Sequence, residues 1–372
     1  MSLTQTASAA LAQFGGDLVD PPISMDAKVP LELSGEAVRS RICTFVDQSG
    51  KEWALRPDLT LAVAQAEVAA RQGGASGETL RTYNGPIFRL PARASDPLEY
   101  TQIGLERFGA PRGADQDAWL YATLASVSQA CGLKAGQASF GDLSIFPAFV
   151  DALGFSADTA AGLKRAFRQA GGVKAFLDGQ DRQSQGLTGR LKGMSRDDVS
   201  AFVDDIFAMT GVRPVGERGA DEIVERLYER AQAKAQAVVS KDQGAVLEEL
   251  LAINVALADA PAALSQIAKS AGLSTLDPVL SAFAARTEQL LKQGEGVFLK
   301  DARFATQFGR KFTYYDGFVF EISGADPDIG PFAAGGRYDS LLSDLSGGEI
   351  DATALGGVVV PHRMAQLTGA AL

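Results

Sequence analysis

Histidine is almost missing from this sequence: His362 is the single example in 372 residues. Zinc sites built on His/Cys clusters, and Ser–His or Cys–His nucleophile systems, are therefore not expected. Neither a metal nor a cofactor is expected. Cysteine is nearly as scarce. Cys43 and Cys131 stand apart in apolar surroundings and read as reduced core thiols of a cytoplasmic protein. No apolar run approaches the roughly 18 residues that would cross a membrane. No Lys or Arg precedes Lys28, which argues against a signal or transit peptide. Positive charge is short too, with 35 Lys and Arg against 45 Asp and Glu and a net charge of −10. A long polyanion needs a basic track to displace its counterions, so the balance counts against a nucleic-acid partner. Also absent are a G-x-G-x-x-G after a strand and a Walker loop.

What is present begins with residues 82–108, two strands joined by a polar loop over 90–98. The second strand alternates, so Gln102, Gly104 and Glu106 share one face while Ile103 and Leu105 take the other. A glycine inside a strand often marks close approach by a ligand or another backbone, so Gly104 is expected to leave a gap between an amide and a carboxylate. On the first strand Ile87 and Arg89 share a face. Antiparallel pairing would put a cation, an amide and an acid around that gap, a wall suited to a small zwitterion. An ordinary Arg89–Glu106 ion pair on a solvated face is the simpler structural alternative.

The rest of the chain supplies flanking elements. Residues 1–13 read as an amphipathic helix, and 41–47 with 52–56 as two short strands around a turn. Pro57 suits the first position of a helix running to Gly73-Gly74, with Asp58 and Thr60 at the strand-to-helix junction. A helix over 115–131 and a strand over 138–145 follow. From about 151 to 294 the sequence is alanine-rich and helically periodic, with no strand expected and a polar break at 179–189. Strands return at 296–299 and 317–323, where Tyr315, Gly317, Val319 and Glu321 alternate on one face. Residues 354–360 form a last strand before a helix opening at Pro361. This order lacks regular βα alternation and implies an antiparallel sheet flanked by helices, an α+β fold.

Five segments together resemble the catalytic domain of class II aminoacyl-tRNA synthetases, specifically histidyl-tRNA synthetase. They are Leu55-Arg56-Pro57-Asp58-Leu59-Thr60, Gly85-Pro86-Ile87-Phe88-Arg89, Gln102-Ile103-Gly104-Leu105-Glu106-Arg107-Phe108-Gly109, Tyr314-Tyr315 through Glu321, and Ala334-Gly335-Gly336-Arg337-Tyr338-Asp339. The resemblance implies a six-stranded antiparallel sheet, usually dimeric. It divides the chain into a core part at 1–152, an all-helical insertion at 153–295 and a second core part at 296–372. It also implies site residues. Asp58, Thr60 and Gln102 would hold an amino acid's ammonium and backbone groups, and Glu106 and Tyr315 its imidazole, with Tyr338 adjoining. Arg310 would face its carboxylate, and Arg89 and Arg363 a vestigial ATP site.

Departures from that pattern decide the function it implies. Arg89-Leu90 is followed by Pro91 where the synthetases carry Glu, and Val360-Pro361-His362-Arg363 stands where they present Gly-x-Glu-Arg. The lost glycine and acids weaken nucleotide and Mg²⁺ positioning. The sequence stops about one helix later, so no anticodon-binding domain is expected. This combination resembles the regulatory subunits of ATP phosphoribosyltransferase. Such a chain would do no chemistry itself. It would bind L-histidine as an effector and would form a homodimer within a hetero-oligomer with a short-form catalytic subunit, without tRNA or membrane. The surviving arginines support a second reading, a truncated synthetase-like ligase that activates histidine with ATP.

Overall fold

The structure is a computed structural model and describes residues 1–92, 96–169, 172–184, 194–210, 224, 225, 228, 239–293, 298–309 and 313–372. Two compact units make up the chain: Met1–Ile145 with Leu250–Leu372, and Phe146–Glu249. The second unit is smaller than the 153–295 insertion that the resemblance implied, because residues from Leu250 onward pack within the first.

The first unit opens with α1 (Leu3–Ala12), where Ser2 and Gln5 exchange the paired bonds of a capping box. Then come β1 (Asp17–Leu18), β2 (Ser24–Asp26), α2 (Lys28–Leu33), α3 (Glu36–Arg39), β3 (Thr44–Val46) and β4 (Glu52–Leu55). Next, α4 (Leu59–Gln72) leads to the long pair β5 (Thr79–Phe88) and β6 (Glu99–Phe108), α5 (Ala114–Ala130) and β7 (Gln137–Asp142). The chain continues through α6 (Ile145–Ala152), α7 (Ala157–Arg168), α8 (Gly172–Ser184), α9 (Arg196–Thr210) and α10 (Lys241–Ala252). It returns as β8 (Asn254–Ala256), α11 (Ala260–Ser270), α12 (Asp277–Gln293), β9 (Arg303–Ala305) and β10 (Phe318–Ser323). β11 (Ala333–Arg337), α13 (Leu341–Ser346), β12 (Ala354–Val359) and α14 (Pro361–Thr368) complete it. No helix among the described residues is long and apolar enough to cross a membrane.

Six antiparallel strands, the number the resemblance implied, form the centre of a nine-stranded sheet ordered β1-β5-β6-β12-β11-β10-β7-β9-β8; β11 among them was not expected as a strand. β1 joins β5 in parallel at one edge; β9, parallel to β7, and β8 extend the other. A separate three-stranded sheet holds β2, β4 and β3. Several expectations need correction. β8 lies inside the stretch read as strand-free, and at three residues it is too short to show alternation. Of the strand placed at 296–299, residues 296 and 297 lie outside the described residues, while Phe298 and Leu299 are not in a strand. The sheet strand is β9 instead. β7 ends at Asp142, and Ile145 already begins α6. α8 runs through the polar stretch to Ser184, beyond which residues 185–189 are outside the described set. Ile223, Leu227 and Ala231, whose helical spacing is part of the periodic 151–294 pattern, are also outside it.

α4 starts two residues later than Pro57 would have it. Asp58 is the N-cap, its extended backbone turning Oδ1 back to accept from Leu61 N at 2.9 Å. Arg56, buried beside it, donates to the carbonyls of Pro86 and Pro21 and so ties the chain before β2 to β5.

Glycine sets the sheet's thickness at its centre. Gly335 opposes Gly357, and Gly336 opposes Gly356. Adjacent residues point to opposite faces, so each pair clears one face. A Cβ on Gly357 would lie 2.5 Å from Ala334 O and 2.7 Å from Leu124 Cδ1 of α5. The bare backbone lets α5 settle on β11 and β12, with α12 and α1 packed against it. Gly357→Ala should therefore lower stability by roughly 1–3 kcal/mol or more, the cost of overpacking a filled core. Urea unfolding reads it as a lower midpoint, and an unchanged midpoint would contradict this packing.

Candidate functional site

Glu106 is the most enclosed acid on the α4 side of the sheet, with 0% of its surface exposed. Its carboxylate accepts three hydroxyls: Thr60 Oγ1 and Tyr83 OH at 2.7 Å on Oε1, and Tyr338 OH on Oε2. Each comes from a different element. Thr60 is in the first turn of α4, Tyr83 is on β5, and Tyr338 follows β11. The Glu106 carboxylate lies over Gly356, where a Cβ would come within 1.6 Å of Oε2.

Gly104 does not leave an empty floor, and here the sequence reading is corrected. In register, Tyr83 stands directly opposite Gly104, and a Cβ there would meet Tyr83 OH at 2.6 Å. The gap is filled by the neighbouring strand's tyrosine. Tyr83 was not among the expected residues; the register that pairs it with Gly104 was the only signal for it. Nor does Glu106 pair with Arg89: among the described residues its hydrogen bonds are all to hydroxyls.

Of the other expected residues, Asp58, Gln102 and Tyr315 lie in the same cluster, while, among the described residues, neither Arg89 nor Arg363 bonds to the carboxylate. Gln102 Oε1 accepts from Leu59 N at 3.2 Å, pinning the start of α4 to β6. Asp58 is buried; its Oδ1 caps α4 while Oδ2 has no hydrogen-bond partner among the described residues. Tyr315 lies against Gly336, and the rings of Tyr314, Tyr315 and Tyr338 sit 4.8 to 5.9 Å apart as a cluster. Tyr314, the inner ring of that cluster, was passed over in favour of its neighbour. Arg310 lies outside the described residues. Arg89 is buried and gives Nε to Pro57 O at 2.6 Å. Arg363 is farther along, donating to Pro331 O at 2.6 Å with its guanidinium 5.7 Å from the Tyr100 ring.

Electrostatically the cluster is acid-rich. Burial pushes Glu106 up to about 7, against the lowering effect of its three hydroxyl partners, and the nearby Asp58 adds to the rise. Burial likewise raises Asp58, with the Arg89 charge acting the other way. Burial also lifts Tyr83, Tyr314, Tyr315 and Tyr338, so these phenols remain donors. Two close carboxyls roofed by neutral phenols offer a place for a cation or an N–H donor.

The raised Glu106 pKa has a stability consequence. An unfolded glutamate titrates near 4.5, so between there and about 7 the folded chain holds a proton that the unfolded one has released. This contribution is fully present below the lower value and is lost as pH rises through the higher one. Glu106→Gln removes the titration. Its stability relative to wild type should rise as pH climbs through that window and level off above it, as urea unfolding at stepped pH would record. A pH-independent difference would contradict it.

The histidyl-tRNA synthetase family model matches residues 1–194 and 200–358. An ATP phosphoribosyltransferase regulatory subunit of Rhizobium meliloti (strain 1021) is 31% identical over 362 residues, covering 91% of this chain and 92% of its own. One from Mesorhizobium japonicum is 32% identical over 338 residues, covering 88% and 87%. Among solved structures, an ATP phosphoribosyltransferase regulatory subunit/histidyl-tRNA synthetase from Bacillus halodurans superposes with a TM-score of 0.62 at 19% identity, covering 98% of this chain and 78% of that one. A histidine–tRNA ligase subunit from Alicyclobacillus acidocaldarius gives 0.57 at 21%, covering 99% and 91%. At these identities the structural matches carry the fold. With the fold and the sequence relatives in agreement, the chain belongs to the ATP phosphoribosyltransferase regulatory subunits, a family built on the histidyl-tRNA synthetase fold.

Proposed function

We propose that this chain senses free L-histidine at the Asp58–Glu106 cluster and, carrying no chemistry of its own, passes that state to a short-form ATP phosphoribosyltransferase catalytic subunit in a hetero-oligomer built on its own homodimer. The observation that carries the reading is the buried Asp58 Oδ2, without a hydrogen-bond partner among the described residues, in the same cluster as the Glu106 carboxyl. A buried carboxylate oxygen left without a hydrogen bond is costly, and an ammonium would relieve it. An imidazole N–H would then take over from one of the hydroxyls on Glu106.

The nucleotide side is built differently. Pro91 is exposed, and Val360 and His362 stand at the start of α14 where the synthetases present a glycine and an acid. Arg89 and Arg363 each spend a donor on a backbone carbonyl of this chain. This supports a pocket that binds an amino acid without activating it. A ligand bound without turnover acts only by favouring one state of an assembly over another, and a coupling of about 1–3 kcal/mol gives 5- to 150-fold control.

Mixing the purified chain with a short-form catalytic subunit should give a complex on a sizing column and histidine-sensitive phosphoribosyl-ATP formation. Absence of a complex would overturn the assignment, and histidine-dependent exchange of pyrophosphate into ATP would revive the ligase reading. Glu106→Gln should weaken histidine binding ten- to a hundredfold, the roughly 1.5–3 kcal/mol of a charge-assisted bond. Unchanged affinity in calorimetry would move the effector elsewhere.

A further inference from the structure

A second polar cavity lies on the other face of the sheet. Glu106, Gly356, Gly336 and Val319 oppose one another across four strands and therefore share a face. Arg337 and Phe318, one residue away from Gly336 and Val319, point to the reverse side. There a cavity of about 540 Å³ is lined by Arg112, Arg286 and Arg337 and by Asp117, Asp316 and Asp339. Its size is within the range of small-ligand pockets.

The charges cancel, three arginines against three aspartates, but they are not equally engaged. Arg337 gives Nε and Nη2 to Asp117 Oδ1 at 3.0 and 2.7 Å, and Nη1 to Asp339 Oδ1 at 3.1 Å. Arg286 bonds to Asp142 and reaches Asp117 Oδ2 at 3.4 Å. Those ions are spent on one another and hold α5 and α12 to the sheet. Arg112 is different. Its side chain is 70% exposed and among the described residues it has one bond, Nε to Asp339 Oδ2 at 2.6 Å. Beside it the first turn of α5 opens at Gly113 and carries its own acids, Asp115 and Asp117. Asp316 is the opposite case. It accepts the amides of Asp339 and Ser340 at 3.1 and 2.7 Å, yet makes no ion pair among the described residues. Partial burial, with Asp339 adding to it, raises its pKa as expected for an acid lacking a cation.

Spare positive character, from Arg112, thus shares one cavity with spare negative character, from Asp316. A phosphate-rich ligand would meet three aspartates on a neutral wall, and an apolar one would strand the ions. We propose that this cavity binds a small zwitterion of the free amino-acid class, its carboxylate on Arg112 and its ammonium on Asp316. Such a site is separate from the Glu106 cluster and stands whether or not that cluster binds histidine.

The experiment titrates each common free L-amino acid, and inorganic phosphate as a control, into the full chain by thermal shift and then calorimetry. Glu106→Gln serves as the background in which binding on the other face is weakened. At least one amino acid should bind in that background and weaken at least tenfold in both Arg112→Ala and Asp316→Asn. Arg112 is exposed, so its variant keeps the test valid should Asp316→Asn misfold. Histidine binding lost in these two variants but kept in Glu106→Gln would support the cavity and overturn the Glu106 reading. No amino acid bound in the Glu106→Gln background, or binding indifferent to Arg112→Ala, would overturn this proposal. So would phosphate binding that Asp316→Asn strengthens, the mark of an anion site.

Discussion

One carboxylate in a dry place organises this half of the molecule. Glu106 is sunk in the sheet and its burial is offset by three hydroxyl donors, none of which is positioned independently. Thr60 is in reach because Asp58 caps α4 and Gln102 pins its first amide. Tyr83 is in reach because Gly104 has no side chain, and the carboxylate fits because Gly356 has none. The motif residues are thus mutually dependent, and a change at one is felt through the acid they share.

β12, now with β11, serves the reverse face by the same device. Gly335 and Gly357 admit α5, and Asp117 on that helix then meets Arg337 and Arg286. Stepping one residue along β11 moves from the tyrosine-roofed acid to an ion-pair network. Two polar environments are separated by a single layer of glycine-rich backbone.

Much of this was legible in the sequence, for reasons that can be named. Period-2 alternation put Gln102, Gly104 and Glu106 on one face, α1 showed itself by its amphipathic spacing, and the last helix was marked by Pro361 at its start. What escaped lacked length or depended on register. β8 and β9 are three residues each and show no alternation. β11, Ala-Ala-Gly-Gly-Arg, has little β propensity and takes its place by pairing on both sides. Tyr83 could be placed over Gly104 only once the cross-strand partners were known. α11 and α12 carry the same alanine-rich pattern as the helices before them, so composition could not tell which unit they join.

The central claim is that Glu106 is held ready, near its midpoint, for a ligand N–H. Carbon-13 NMR of carboxyl-labelled glutamate, with Glu106→Gln to assign the signal, follows that titration directly. The account predicts a midpoint near 7 in the free chain, moving downward when L-histidine saturates the site, because a donor to the ionised form favours it. A midpoint in the ordinary glutamate range, or one that saturating histidine leaves in place, would contradict it.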